Sequence, residues 1–281
     1  MSRPIFSGHE TFRCKTHWLK RGYDFVGDGS NFNDEDAVVK LGVGKNMVAS
    51  IKFWMKAFGL IDIDNKLSDL SQILLDDSDG NDPYFENIGT LWLLHFELIK
   101  TDYATIYKKT FVDFHRRHNE LQKSKLHNYL KSNCFGETYA KLYNEGSLKK
   151  DVDVFLHNYC GAGKDNIEEQ NTLLLPLNLI RVGAEKDSWV FNYTNQEVVP
   201  AEVFLYAIIS YKDQGASSVS FELLQELSLI FCMDNNELIE MVARVCALYS
   251  KDIVFSDNAG IKELQFKREF DKIDILKNYY R

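Results

Sequence analysis

Three lysines in the first quarter of the chain recur at helical spacing. Lys45, Lys52 and Lys56 are separated by seven and four residues, which places their ammonium groups on one face of a helix. Asn46 and Ser50 lie in the same segment and carry small polar groups that can hydrogen-bond to bases or phosphate. Because DNA binding requires cations that neutralise several phosphates together, we predict that these five residues contact DNA. The alternative is an ordinary solvated helix face, where lysine is common.

Residues with metal-binding side chains are dense near the N-terminus. His9, Cys14 and His17 have the spacing His-x4-Cys-x2-His, and Glu10 follows the first of them. These residue types ligate zinc, but a structural zinc site needs about four ligands and no fourth is evident. We therefore favour a structural role, in which His9 and Glu10 hold the start of the chain and Cys14 is a plain thiol. No metal and no other cofactor is expected.

The same N-terminal block carries basic side chains. Arg13, Lys15 and Arg21 lie before and within a segment whose apolar residues recur at helical spacing from Thr11 to about Val26. We predict that these three cations contact the phosphate backbone beside the lysine face.

The lysines belong to a recognisable order of elements. Residues 34–75 have the sequence DEDAVVKLGVGKNMVASIKFWMKAFGLIDIDNKLSDLSQILL. We predict a short helix with its N-cap at Asn33 and its end at Gly42, a tight turn, and a second helix from about Asn46 to Phe58. A strand at residues 60–63, a turn and a return strand at Leu67 would follow. This order is typical of a winged helix-turn-helix, which most often binds nucleic acid.

Apolar periodicity indicates which side of the second helix is buried. Its apolar residues recur at i, i+4, i+7, i+8 and i+11 and predict a stripe packed against the rest of the module: Met47, Ile51, Trp54, Met55 and Phe58.

Two glycine–lysine runs resemble the end of a phosphate-binding loop. They are GVGKN at residues 42–46 and GAGKD at residues 161–165. The Walker pattern also requires a glycine five residues before its last glycine and a serine or threonine after the lysine, and both runs lack both residues. We interpret the first as the turn of the helix-turn-helix and the second as a loop.

Charge is unevenly distributed along the 281 residues, whose formal net charge is −8. Residues 1–60 contain nine basic and six acidic side chains, and residues 101–150 contain ten and five. Residues 61–100 and 151–281 are acidic, with two bases against nine acids and twelve against twenty-one. The basic middle segment either extends a nucleic-acid surface, receives an acidic partner or forms a surface helix bundle with ordinary salt bridges. We favour the bundle.

The remaining patterns predict a mainly α protein with short β-hairpins. Residues 88–131 have helical periodicity, residues 173–193 indicate a hairpin region, and helices after Pro200 precede a hairpin around an Asn-Ala-Gly turn. We predict an N-terminal winged helix-turn-helix domain (1–86), a helical middle region (87–172) and a C-terminal winged-helix-like domain (173–281). The second helix of the last domain carries Asp234, Glu237 and Glu240, which repel phosphate and favour a protein partner.

Composition also bounds the compartment. Hydrophobic residues make up 45% of the chain, and five scattered cysteines without a Cys-x-x-Cys pair indicate reduced thiols. The N-terminal sequence lacks the apolar core of a signal peptide, and the longest apolar clusters are shorter than the roughly 20 residues of a membrane span. We expect a soluble protein of the cytoplasm that does not bind membranes.

Several motifs resemble a known family. FSGHETF, WLKRGYD, AVVKLGVGKNMVASIKFWMKAFGLI and DPYFENIGTLWLLH, with the later PLNLI and AEVFLYAIISY, resemble the prokaryotic domain-of-unknown-function family 4007. Genes of that family lie beside PAPS-reductase-like genes in DNA-modification and phage-defence islands, including phosphorothioation systems. The resemblance implies an accessory protein of DNA sulfur modification or defence and supplies no catalytic residues.

We therefore expect a non-catalytic protein that binds double-stranded DNA within such a system. The alternative is an adaptor that docks a PAPS-reductase-like or desulfurase partner without binding DNA itself. An enzyme is the third hypothesis, and it requires His9, Glu10, Cys14 and His17 to converge.

Overall fold

The computed structural model describes residues 3–161, 171–193, 198–258 and 260–281. Within these ranges the chain is mainly helical and has two small three-stranded antiparallel sheets, as the periodicity predicts. The chain divides into two compact units, Met1–Asn192 and Tyr193–Arg281. No helix in the described part of the chain combines the length and the apolar character that crossing a bilayer requires.

The first unit begins with four helices: α1 (Thr16–Gly27), α2 (Ala37–Leu41), α3 (Lys45–Ala57) and α4 (Asp69–Leu75). Gly42 ends α2 with a φ of 58°, and Gly44 is the N-cap of α3, so the predicted turn between the helices is present. The N-cap of α2 is Asp36 rather than the predicted Asn33. The predicted pair of strands after α3 is reduced to one β-bridge, between Ile61 and Leu67.

The apolar stripe of α3 faces inward as predicted. Ile51, Trp54, Met55 and the following Phe58 are buried, and Met47 is half-buried. Gly22 of α1 lies against this stripe, because a Cβ placed there would be 2.9 Å from Cγ of Met55. The absence of a side chain at this glycine therefore permits the close approach of α1 and α3.

The rest of the first unit is the helical region α5 (Ile88–Thr101), α6 (Thr105–Lys108), α7 (Lys123–Cys134) and α8 (Glu145–Tyr159). After α6 the chain continues as a π-helical turn, Lys109–Phe114. A small sheet accompanies these helices, in which β3 (Ser188–Phe191) pairs with both β1 (Glu120–Gln122) and β2 (Ile180–Val182).

Two sets of backbone pairs place residues 171–192 in the first unit. The N–H of Thr16 donates to the carbonyl of Asn171 at 2.9 Å, and the N–H of Leu173 donates to the carbonyl of Cys14 at 3.0 Å. The β2–β3 hairpin is extended by β1, which lies 58 or more residues earlier in the chain. The division found here therefore differs from the predicted boundary after residue 172, because that boundary would separate paired backbone.

The second unit contains α9 (Ala201–Tyr211), α10 (Phe221–Ile230), α11 (Asn235–Leu248) and α12 (Lys272–Tyr279). Its sheet places β6 (Ile261–Phe266) between β4 (Ser218–Ser220) and β5 (Ile253–Asn258). The β5–β6 hairpin was expected from the sequence, although Ala259 of its turn lies outside the described residues. Asp234 and Glu237 form a capping box at the start of α11.

Candidate nucleic-acid interface

The lysine face of α3 is accessible to solvent. Lys45 and Asn46 are exposed, and Lys52 and Lys56 are partly exposed. Within the described residues, no acidic side chain forms an ion pair with any of the three lysines. This face therefore remains positively charged and is not neutralised by direct contact with the acidic parts of the chain.

Ser50 does not belong to this exposed face, and its buried side chain is not accessible for the predicted contact with DNA. The residue has 0% exposure, and its hydroxyl has no hydrogen-bond partner among the described residues. Position 50 lies one turn before Trp54, which has 0% exposure as well, so it turns inward with the apolar stripe.

Two of the lysine ammonium groups donate to neutral acceptors near the helix. Nζ of Lys52 lies 3.1 Å from the side-chain oxygen of Asn33, and Nζ of Lys56 lies 2.9 Å from the backbone carbonyl of Ile63. Burial, and then the positive charge of Lys52, lower the pKa of Lys56, whereas Asp62 and Asp64 oppose that shift. Lys56 thus links α3 to the loop between Ile61 and Leu67, and this loop carries the carboxylates of Asp62 and Asp64.

Arg21 connects α1 to the end of α2. Its guanidinium donates to the carbonyl of Leu41 at 3.2 Å, at the end of α2. The pKa of His17 is lowered by burial and then by the positive charges of Arg21 and Lys15, so these cations lie close together at the start of α1. Lys15 lies 5.9 Å from the ring centre of Trp18, and Arg13 is partly exposed. The second predicted group of cations therefore gathers around the first turns of α1.

The residues considered for zinc do not form a metal site. Nε2 of His9 lies 2.7 Å from Asp151, and its Nδ1 accepts the N–H of Thr11 at 3.1 Å, so both ring nitrogens are occupied. Cys14 is 1% exposed, and burial raises the pKa of its thiol well above the usual range. His17 is exposed on α1. In the described ranges, no three His, Cys, Asp or Glu side chains are arranged to hold a metal ion.

Asp151 is a buried partner of His9 that the sequence interpretation does not include. This carboxylate is 2% exposed and accepts the N–H of Ser7 at 2.7 Å and its hydroxyl at 3.0 Å, in addition to His9. A signal exists in the sequence, because Leu148, Val152 and Phe155 place position 151 on the apolar face of α8. An acidic residue on such a face indicates a buried partner.

The N-terminal segment packs against the aromatic side chains of α3. The imidazole of His9 stacks on Trp54 with a ring separation of 6.0 Å, and a Cβ on Gly8 would be 2.4 Å from the ring of Phe53. Ser7, Glu10 and Thr11 have positive φ angles of 63°, 49° and 67°. Backbone strain of this kind persists only where the surroundings over-determine the conformation, and Asp151 and the α3 aromatic rings supply that constraint.

The basic middle segment forms the predicted helix bundle with salt bridges. Lys109 pairs with Asp113 at 2.6 Å, and Lys123 pairs with Asp153 at the same distance. His115 is buried and stacks on Phe191 at 3.7 Å. In α5, His95 is a core residue whose Nδ1 lies 2.8 Å from the hydroxyl of Tyr159, as its apolar surroundings predict.

Of the two glycine–lysine runs, the first lies fully within the described residues. The first is the turn between α2 and α3 described above. The second, at residues 161–165, lies outside the described residues from Ala162 onward.

Comparison with protein-family models matches residues 6–280 to DUF4007, described as a protein of unknown function. Comparison with curated proteins finds no match. Among solved structures, the chain is similar to a magnesium ion-bound crystal structure of SspB, with 25% identity and a TM-score of 0.86. A second crystal structure of SspB has 26% identity and a TM-score of 0.83. Each match covers 100% of this chain and 88% of the other.

Proposed function

The chain belongs to the DUF4007 family, and from this premise we propose that it is a non-catalytic DNA-binding accessory protein. Its setting would be a prokaryotic DNA-modification system of the phosphorothioation type or a phage-defence system, as the family resemblance implies. The observation that carries the proposal is the lysine face of α3, which is solvent-accessible and free of ion pairs with described acidic residues. A polyanion is the partner that such a face attracts.

In this proposal residues 16–67 form a winged helix-turn-helix. The supporting features are the left-handed Gly42 between α2 and α3 and the loop closed by the Ile61–Leu67 bridge. Arg21 supports the arrangement by donating to Leu41 at the end of α2. In such modules the second helix enters the major groove, which here is α3.

The DNA contacts we propose are those of the sequence interpretation without Ser50. Lys45, Asn46, Lys52 and Lys56 would face the groove. The present acceptors of Lys52 and Lys56 are neutral oxygens, so a phosphate would replace a neutral hydrogen bond rather than break an ion pair. Arg13, Lys15 and Arg21 would contact the backbone from the start of α1.

A salt titration tests the proposal. If about three to five phosphates are neutralised, the logarithm of the binding constant should fall with the logarithm of salt concentration with a slope of roughly −3 to −4.5. Fluorescence anisotropy on duplexes with and without phosphorothioate linkages measures it, in parallel with and without magnesium. The triple variant Lys45→Glu, Lys52→Glu and Lys56→Glu should lose binding at moderate salt while keeping its circular dichroism spectrum.

A matched control separates the site from net charge. Exchange of the exposed lysines at 125, 150 and 251 for glutamate changes the total charge by the same amount as the triple variant of α3 does. This control variant should keep most of the DNA affinity. Equal losses in both triple variants would contradict the assignment of the site to α3. Absence of salt-dependent binding in the wild-type protein would contradict the function itself.

Magnesium belongs to one of the SspB structures and is given no role in this proposal. Within the described residues no three acidic, histidine or cysteine side chains are arranged to hold a metal ion.

A second candidate function, the adaptor, is supported by the second unit. Its helices α10 and α11 and the β5–β6 hairpin have a winged-helix order, with β4 added to the hairpin, but α11 carries Asp234, Glu237 and Glu240. Between α11 and β5 lies an apolar groove of about 440 Å³ with Ile239 55% exposed. Acidic charge beside an apolar groove suits an apolar segment flanked by basic residues on a PAPS-reductase-like or desulfurase partner.

Co-expression with that partner tests the adaptor. The complex should co-elute in size-exclusion chromatography, and Ile239→Asp should dissociate it by placing a charge in the apolar groove. Glu226→Lys, on α10 of the same unit, serves as a charge-changing control outside the groove lining. A complex that survives Ile239→Asp would contradict this docking surface.

A further inference from the structure

A polar cleft of about 550 Å³ separates α7 from α8 in the first unit. One wall is the face of α7 on which Lys123, His127 and Lys131 follow each other at four-residue spacing. Ser124 and Asn128 line the cleft beside them. The wall thus presents two ammonium groups, an imidazole, a hydroxyl and an amide to the same space.

The two helices are antiparallel along the cleft. At one end Lys123 pairs with Asp153 of α8 at 2.6 Å. At the other end the ammonium of Lys131 lies 4.9 Å from the ring centre of Tyr143, which precedes α8. An aromatic ring and a cation therefore stand together at the second end, whereas the first end is closed by an ion pair.

The charges lining the cleft do not cancel. Lys149 pairs with Glu145 at 2.6 Å and Lys123 pairs with Asp153, but Lys131 forms no ion pair within the described residues. Three lysines thus oppose two carboxylates, with the surplus positive charge at the Tyr143 end. Glu145 lies close to this surplus, since Lys131 is among the groups that hold the pKa of its carboxyl below the usual range, after Lys149.

His127, which lies in this wall, has a buried polar atom, Nε2, that lacks a hydrogen-bond partner among the described residues. Its ring lies 6.4 Å from that of Tyr143 in an edge-to-face arrangement. Buried polar side-chain atoms are mostly satisfied, so this nitrogen, in a residue that lines the cleft, is a group that a ligand completes when the ring turns towards the open space.

We propose that the α7–α8 cleft binds a nucleoside phosphate. The phosphate would lie at the end of the cleft where Lys131, Lys149 and His127 are found and where charge-assisted hydrogen bonds are available. Asp153 and Glu145 would accept from ribose hydroxyl or base amino groups, which a simple inorganic anion lacks. The cleft volume falls within the range of about 300–1,000 Å³ typical of small-ligand sites, which is far more than one phosphate ion fills.

This site is independent of the proposed DNA contact. It uses residues of α7, α8 and Tyr143 and none of α3. The lysine triple variant of α3 should therefore bind the nucleotide as the wild-type protein does, and loss of DNA binding leaves the cleft hypothesis unaffected.

Isothermal titration calorimetry with AMP, GMP, CMP and UMP tests the proposal on the full chain, with the four corresponding nucleosides and inorganic phosphate as partial ligands. At least one nucleotide should saturate the protein in the sub-millimolar range, and its nucleoside and phosphate alone should bind roughly tenfold or more weakly, since both parts contribute. Lys131→Ala and Lys149→Ala should each weaken binding by roughly tenfold, the effect of losing one charge-assisted contact. Lys125→Ala and Lys150→Ala alter neighbouring exposed lysines outside the lining and should leave affinity unchanged.

Long-range ¹H–¹⁵N spectra of the histidine rings supply a local measurement. The Nε2 resonance of His127 should shift on saturation with the nucleotide, and the shift should be absent with its nucleoside at the same concentration. The proposal is overturned by no saturable binding of any nucleotide up to about 5 mM, by equal affinity for the nucleotide that binds and for its nucleoside, or by unchanged affinity in both lining variants. Binding of single-stranded oligonucleotides but not of mononucleotides would likewise overturn it.

Discussion

The Nε2–H of His9 donates to the buried carboxylate of Asp151 across 2.7 Å, although 142 positions separate the two residues. The N–H of Thr11 donates to the other ring nitrogen, which therefore carries no proton and defines the tautomer. Together with two hydrogen bonds from Ser7, this contact ties the N-terminal segment to α8. The segment leads directly into the cations at the start of α1.

The first prediction concerns this anchor. Asp151→Ala should lower the free energy of unfolding by about 3–5 kcal/mol, because it leaves the donors of Ser7 and His9 buried without an acceptor. Urea denaturation followed by circular dichroism measures the change. Asp153→Ala is the matched control, since this neighbouring carboxylate forms a surface pair with Lys123 that contributes no more than about 1 kcal/mol. Similar losses of unfolding free energy in the two variants would show that the contacts of Asp151 stabilise the fold no more than a surface ion pair does.

The second prediction concerns the approach of α1 to α3. Gly22→Ala should destabilise the protein by about 1–3 kcal/mol, because the new methyl group would meet Met55 and Ile51 at 2.9–3.1 Å. Gly27→Ala, at the end of the same helix, meets no atom within 4 Å and should be neutral or slightly stabilising. Thermal unfolding of both variants distinguishes them, and a Gly22→Ala protein as stable as Gly27→Ala would contradict the packing described here.

The third prediction follows from the burial of Ser50. Ser50→Ala removes a hydroxyl without a partner and should leave the stability unchanged or raise it by up to about 1 kcal/mol. Its DNA affinity should equal that of the wild-type protein, whereas Asn46→Ala should reduce affinity if α3 lies in the groove. Anisotropy titrations of the two variants under identical salt measure the contrast. A weaker affinity in Ser50→Ala would restore this residue to the interface.

The fourth prediction concerns alkaline stability. Burial raises the pKa of the Cys134 thiol from its ordinary value of 9.0 to about 11 in the folded protein. The unfolded thiol ionises first, so its contribution to stability is fully present below about pH 9 and is lost as pH rises towards 11. We expect about 2 kcal/mol of stability to disappear across this window for Cys134, with the buried Cys14 and Tyr107, whose pKa values are also raised, adding in the same direction.

Urea denaturation at pH 8.5, 10 and 11 checks this effect. Cys134→Ala should flatten the pH dependence relative to the wild-type protein, even where its absolute stability is lower. A variant whose stability falls just as steeply would show that Cys134 does not contribute. Thiol labelling at pH 8 supplies an independent check. At this pH only about one thousandth of the native protein molecules carry Cys134 as the thiolate, so this residue should react slowly.

Local features were predicted well from the sequence. The bounds of α3 differ by one residue from the prediction, since its apolar stripe and its flanking Gly44 and Gly59 are local signals. The β5–β6 hairpin was likewise indicated by alternating residues around a turn. The predicted helix from Thr11 begins only at Thr16, because residues 7–15 are drawn into contacts with Asp151, Asn158 and residues 171–173.

Two short strands escaped prediction for a common reason. β1 and β4 have three residues each, too few to establish a period, and they are strands because β3 and β6 supply hydrogen-bonding edges. The side of α3 on which Ser50 lies was also missed, since it sits near the boundary between the exposed and buried faces.

The helical character of the chain, the apolar side of α3 and the uneven distribution of charge follow from the order of residues, because each depends on residues within a few turns of one another. The tertiary structure alone decided that His9 binds Asp151 rather than a metal, that Ser50 is buried, and that Lys131, His127 and Tyr143 share a cleft. Those outcomes depend on which distant groups meet and exclude water. The energy of a buried polar side chain is set by its partners, and no local pattern specifies them.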